Sequence, residues 1–219
     1  RGLGDVYKRQ VPHHFPSPHP IVSAAVSAGV LIDNDVGLFF QSIATESWEK
    51  FSVRPRIVAV TGSNWKSTIA SLLHHIFLKL GYKSQLAGNI GRGVLDIDPP
   101  ENNELIVLEL SSYQTEVARI LSPDLAIFTN FSADHLERHG GIGGYLAAKR
   151  RLFTEGCPDY SIIGVDELAG LNLAQQLSAS IGDESIIRVS ATKQIRRFDW
   201  SIFCDGSCLV EHRKGCLLY

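Results

Sequence analysis

Methionine is absent from all 219 residues, and cysteine occurs only four times. Four cysteines, mostly clustered near the C-terminus, are too few for a disulfide-stapled scaffold, so a reducing, cytoplasmic setting is expected. No apolar run approaches the roughly 18 residues of a membrane-spanning helix. No basic segment followed by an apolar core opens the chain, which argues against a secretory signal. An excess of charge is missing too. Lysine and arginine number 21 against 23 acidic residues, a net charge of -2 that gives no electrostatic case for nucleic acid or an anionic membrane surface. What remains, 44% hydrophobic and 20% charged residues, is the composition of a globular protein with one large or two modest domains. Without a start methionine the chain reads as a piece of a longer protein. Its first ten residues, RGLGDVYKRQ, have no periodicity and read as a non-native tail.

Residues 11–20 carry four prolines and three histidines (His13, His14 and His19) and read as an extended connector rather than a metal site. A short helix over residues 21–28, a strand at "GVLI" and a helix from an Asp35 cap follow, then a linker over residues 46–55. From Arg56 onward strands and helices alternate. "RIVAV", "KSQLAG", "LIVLEL", "DLAIFTN", "YSIIGV" and "SIIRVS" read as strands, most of them apolar throughout as in a parallel sheet buried on both faces. The first helix between them places Ile69, Leu72, Leu73, Ile76, Phe77 and Leu80 at helical spacing and stops at Gly81. The expected fold is α/β, with a mainly parallel sheet, helices on both faces and right-handed crossovers. A short antiparallel meander follows near the C-terminus, with turns at Asp205-Gly206 and Lys214-Gly215.

The chemistry concentrates at strand ends, where open α/β sheets bind ligands. "TGSNWKST" joins an apolar strand to an amphipathic helix, the setting of a phosphate cradle. Lys66 is placed for β/γ-phosphates, and Ser67 and Thr68 offer hydroxyls for a metal. The spacing is shorter than the general phosphate-loop pattern, and a plain Gly/Ser/Asn turn is the bland alternative. "LELSSYQ" brings Glu109 to a strand end, where a carboxylate among apolar residues is costly unless paired or bound to a cation. "TNFSADHLERH" brings Asn130, Asp134, His135, Arg138 and His139 to the next one. Cys204, Cys208, His212 and Cys216 recur every fourth residue, but turns separate them and zinc is not expected. "GGIGG" at 140–144 reads as a flexible link.

Together, "VTGSNWKST", "GNIG", "LELSSYQ", "TNFSADHLERH" and "YLAAKRRLF" resemble, in order and spacing, the Mur ligases, and within them the branch that joins D-glutamate to UDP-N-acetylmuramoyl-L-alanine. The resemblance runs from about residue 11 to the end of the chain. It implies an ATP- and Mg²⁺-dependent amide ligase of peptidoglycan precursor synthesis, in which ATP phosphorylates the muramoyl substrate's carboxylate and the D-glutamate amine attacks the acyl phosphate. It implies an ATP loop at Gly62, Ser63, Asn64, Trp65, Lys66, Ser67 and Thr68. Glu109, His135 and Ser67 would be metal ligands, and Asn89, Ser111 and Asn130 substrate contacts. Lys149, which the residues alone suggest is an exposed basic helix end, would be a carbamate-bearing lysine, also on the metal. Catalysis would rest on Lys66, His135 and Lys149.

The resemblance also divides the chain. Residues 11–45 would end an N-terminal UDP-substrate domain and 56–219 would form most of a central ATP-binding domain. The D-glutamate-binding C-terminal domain would be missing, so no turnover is expected of this chain alone. A monomer is expected. The departure from the family is Trp65, where the others carry glycine: a left-handed backbone there strains a bulky residue by about 1–2 kcal/mol, and an indole obstructs phosphate. Alternatives are therefore a nonfunctional remnant, a nucleotide-independent binding module, or another phosphate-loop enzyme such as a kinase or folylpolyglutamate synthase.

Overall fold

A computed structural model describes residues 20–46, 50–134, 136–213 and 216–218. The proline-rich connector, the N-terminal tail and the Lys214-Gly215 turn lie outside those residues. Among the described residues, helices α1 (Pro20–Ser27) and α2 (Asp35–Glu46) come first. Asn34, rather than Asp35, caps α2: its Oδ1 accepts the Gly37 N–H at 3.0 Å, while Asp35 is already helical. The expected "GVLI" strand does not form. Gly29, at φ 73°, turns the chain out of α1, and Val30 and Leu31 are exposed with no strand to pair with.

Among the described residues there are nine strands: β1 (Arg56–Thr61), β2 (Ser84–Gly88), β3 (Leu105–Glu109), β4 (Leu125–Phe128), β5 (Tyr160–Gly164), β6 (Ile186–Ser190), β7 (Trp200–Asp205), β8 (Cys208–Arg213) and β9 (Cys216–Leu218). They form one sheet in the order β2-β3-β1-β4-β5-β6-β7-β8-β9. Every pairing from β2 to β7 is parallel, and β7-β8-β9 is the antiparallel meander. Gly206, at φ 62°, supplies the left-handed turn residue of its first hairpin. The register puts Cys204 on one face of that hairpin and Cys208 with His212 on the other, so these side chains cannot converge on one metal.

Helices α3 (Lys66–Lys79), α4 (Ser112–Val117), α5 (Ile142–Thr154) and α6 (Leu168–Ile181) lie between the strands. One face of the sheet holds the larger core. There Ile57, Ile106, Phe128, Ile163 and Phe203 pack with Phe40 of α2, Leu152 of α5 and Leu173 of α6. Helix α2 thus shares the core of the sheet. On the other face, Val58, Val60, Val107 and Ile127 meet Ala70, Ile69, Leu73 and Phe77 of α3. The apolar residues of α3 do not all turn inward as their spacing suggests: Leu72, Ile76 and Leu80 are exposed. The "GGIGG" segment is only partly a link. Gly140 and Gly141 take positive φ, and α5 starts at Ile142, so Gly143 and Gly144 are already helical.

Candidate functional site

Strands β1, β3 and β4 run parallel, so their C-terminal ends deliver loop 62–65, Glu109 and the Thr129–Asn130 pair to one edge. Trp65 stands at the N-cap of α3 with φ 66° and ψ 5°, in the left-handed region, and no side chain caps the helix. Its indole is 69% exposed. Gly62 sits at φ 142° against the strand β4 exit, where an added Cβ would lie 2.0 Å from Thr129 Oγ1. Lys66 folds back so that Nζ donates to the Ser63 carbonyl at 2.8 Å. Ser67 Oγ donates to Glu109 Oε2 at 2.7 Å, and Thr68 is exposed in the same turn.

Glu109 is 1% exposed, and its second oxygen accepts from Asn89 Nδ2 at 3.2 Å. This meeting depends on Gly88, whose missing Cβ would fall 2.2 Å from the Glu109 carbonyl oxygen. The hydroxyl of Ser111 is engaged in a capping box with Gln114 at the start of α4. The resemblance places both Asn89 and Ser111 on substrate. In the structure they serve Glu109 and the helix cap, respectively.

Asn130, also expected to touch substrate, grips the loop. Its Oδ1 accepts the Asn64 N–H at 2.8 Å, and its Nδ2 donates to the Asn64 carbonyl at 3.2 Å. Thr129 Oγ1 donates to that same carbonyl at 2.8 Å. Ser63 Oγ donates to the Ser132 carbonyl and accepts the Ser132 N–H. The segment after β4 therefore acts as a latch on loop residues 63 and 64. Replacing Asn130 by alanine frees the Asn64 N–H and leaves the Asn64 carbonyl with the Thr129 hydroxyl alone. The expected loss is about 1–2 kcal/mol of stability, read as a lower urea midpoint at unchanged slope.

Lys149 corrects the reading from residues alone. It lies mid-helix and is 1% exposed, with Nζ donating to the Gly62 carbonyl at 2.7 Å and standing 4.5 Å from the centre of the Tyr145 ring. Burial, then repulsion from Lys66, lowers its pKa to about 7, against opposing pulls from Asp134 and Glu109. Tyr145 is a site residue that sequence reasoning missed; His139, named with the residues after β4, joins it. The Tyr145 hydroxyl lies 3.2 Å from Ser63 Oγ, and its ring packs against Phe131 and His139. His139 Nε2 pairs with Ser112 Oγ at 3.0 Å, and burial lowers the ring's pKa. One signal was available: Tyr145 precedes Lys149 by four residues, which puts both on one helical face. His135 lies outside the described residues. Among the described residues, no group of three or more His, Cys, Asp or Glu side chains is placed to hold a metal.

The description "Mur ligase middle domain" fits residues 60–205. A UDP-N-acetylmuramoylalanine–D-glutamate ligase from Cereibacter sphaeroides is 58% identical over 205 residues, covering 94% of this chain and 44% of the relative. One from Ruegeria pomeroyi is also 58% identical, with the same coverage. The chain therefore spans less than half the length of the curated relatives it matches. A bifunctional folylpolyglutamate synthase/dihydrofolate synthase from Yersinia pestis, solved with AMPPNP and a Mn ion, aligns at 12% identity with a TM-score of 0.49 over 93% of this chain and 58% of that one, too distant to add weight. With the middle-domain match spanning two-thirds of its length, over the strands and loops that build this site, the chain belongs to the Mur ligase family.

Proposed function

We propose that the whole protein to which these residues belong is a cytoplasmic, ATP-dependent amide ligase that joins D-glutamate to UDP-N-acetylmuramoyl-L-alanine. Residues 11–45 would complete its UDP-substrate domain, 46–55 link the two, and 56–219 form its ATP-binding domain. The observation that carries this reading is the convergence of Lys66, the Ser67–Glu109 pair and Lys149 around one loop at the uncapped start of α3. A phosphate fits there: the first N–H groups of the helix lack intrahelical acceptors, and Lys66 adds a cation. A magnesium ion fits the hard oxygens of Ser67 and Glu109 and, when bound, supplies neutralisation of phosphoryl charge. Lys149 contributes an amine whose neutral form persists near pH 7. That amine can form an N–C bond to CO₂ and release a proton, giving a carbamate with anionic oxygens. His135 would complete the metal's ligands, and Asn89, Ser111 and Asn130 line the approach of the muramoyl substrate. Positioning and charge neutralisation then carry the transfer of phosphate to the carboxylate and the attack of the amine.

Trp65 favours a second reading, in which this copy is a remnant that no longer takes nucleotide. The two are separated by assaying phosphate release from the whole protein. With glycine at position 65, release is expected only when ATP, UDP-N-acetylmuramoyl-L-alanine and D-glutamate are all present. Release indifferent to the muramoyl substrate overturns the ligase reading. The 219-residue chain alone is expected to form no amide product.

A further inference from the structure

Beyond the end of β5 lies an acidic pair whose two carboxylates reach in opposite directions across the sheet. Asp166 accepts from the hydroxyls of Ser190 and Thr192 and from the Ala191 N–H, all at the exit of β6. Glu167 turns the other way, and its Oε2 accepts the Phe131 N–H at 3.0 Å, at the exit of β4. Glu167 also occupies the N-cap of α6, with extended backbone at φ -100° and ψ 155°, yet its side chain makes no cap bond there. An N-cap favours Asp, Asn, Ser or Thr, whose short side chains reach their own helix. Here a longer carboxylate leaves its own helix without a side-chain cap and bonds a backbone group 36 residues away. A local preference set aside in this way marks a position held for another purpose.

Phe131 lies in the middle of the latch. Its ring packs on Tyr145 at 5.4 Å between centres, and the Tyr145 hydroxyl stands 3.2 Å from Ser63 Oγ. The residue before it, Asn130, holds Asn64, and the residue after it, Ser132, holds Ser63. The segment has no slack on the β5 side either. A Cβ on Gly164 would fall 2.2 Å from the Thr129 carbonyl oxygen, and one on Gly170, in the first turn of α6, would fall 1.9 Å from the Gly164 carbonyl oxygen. The start of α6, the end of β5 and the exit of β4 are therefore packed backbone against backbone, and close packing transmits a shift from one to the next.

We propose that Glu167 is a positioning residue for the phosphate loop. From the start of α6 it fixes Phe131, and through Phe131 it fixes the grip of Asn130 and Ser132 on Asn64 and Ser63. It acts through the latch and not on the ligand. Its role in nucleotide binding rests on the reading of residues 62–68 as an ATP loop, whereas the mechanical link does not.

Three variants separate this role from a merely local one. E167Q keeps an acceptor oxygen at the same reach. E167D is about 1.5 Å shorter, loses Phe131 and is suited to cap α6 instead, so its stability should not fall. E167A loses both. In amide exchange of the ¹⁵N-labelled chain, the N–H groups of Phe131, Ser132, Ser63 and Asn64 are expected to exchange about three- to tenfold faster in E167D and E167A. E167Q should stay close to the unaltered chain, and the amides of β8 should not change in any variant. Unchanged exchange at Ser63 and Asn64 overturns the proposal, as does a change spread evenly over the sheet or one that follows the urea midpoint. On a Trp65→Gly background, E167D is expected to bind ATP about threefold or more weakly than E167Q. Equal affinities overturn the role in nucleotide binding. If Trp65→Gly itself binds no ATP, the ATP-loop reading fails, and the exchange pattern still decides the link.

Discussion

Replacing Trp65 by glycine is expected to tighten nucleotide binding about a hundredfold without loss of stability. The binding estimate comes from the loop. Charge-assisted hydrogen bonds from backbone N–H groups to phosphate contribute about 1.5–3 kcal/mol each. An indole at the N-cap of α3 obstructs approach to the first of them, so losing one or two such bonds corresponds to about 3 kcal/mol. The stability estimate comes from the backbone. At φ 66° a non-glycine residue carries about 1–2 kcal/mol of strain, offset by roughly 0.5–1 kcal/mol for the greater freedom of glycine in the unfolded chain. Little packing is lost with a side chain that is 69% exposed. Equilibrium dialysis with radiolabelled ATP and urea melts of both proteins decide it. Equal affinities would show that the indole swings clear of the phosphate, and a fall of more than about 1 kcal/mol in stability would show that it packs in solution.

The strands were legible because a doubly covered parallel strand is apolar at every position, and "RIVAV" and "LIVLE" need no tertiary context to be read that way. The same rule misled at "GVLI", where the apolar run has no neighbouring strand and Gly29 turns the chain instead. On α3, spacing identified the helix but not which side of its wide apolar stripe meets the sheet. That depends on where β2 lies, which His74 reports only once the fold is known. The loop was legible from its lysine and hydroxyls between a strand and a helix, and its left-handed residue was anticipated from the family's glycine.

The latch was not legible. Asn130 sits 66 residues from Asn64, and nothing local distinguishes an amide that bonds a backbone from one that awaits a ligand. Its two bonds to Asn64 also fix the peptide immediately before Trp65, so the strained residue is held from its N-terminal side by strand β4 and from its C-terminal side by helix α3. Strain persists where surrounding structure over-determines it. A substitution at 65 therefore acts on a backbone whose path is already set, which is why glycine should recover the cradle rather than collapse it.

Lys149→Met is expected to abolish a pH dependence of stability that the unaltered chain shows between about pH 7 and 10.5. The folded-state pKa, about 7, lies below the ordinary 10.5 because burial and Lys66 disfavour the charged amine. Between those values the unfolded chain holds a proton that the folded chain has released, so raising the pH favours folding. Below the window both states are protonated and the penalty is constant; above it both are neutral and the penalty is gone. The slope should be about 1.4 kcal/mol per pH unit, approaching ~5 kcal/mol across the window as a ceiling. Methionine leaves the Gly62 carbonyl without its donor, a loss of about 1–3 kcal/mol that does not vary with pH, so the difference in slope isolates the lysine. Urea midpoints at pH 7.5 and 9.5 for both proteins, in buffers purged of CO₂, measure it. Parallel slopes would place an ordinary ammonium in the folded chain and remove the neutral amine on which carbamate formation depends. A steeper slope in the unaltered chain would predict, in turn, a carbamate carbon resonance on adding ¹³C-bicarbonate near neutral pH, absent from the methionine variant.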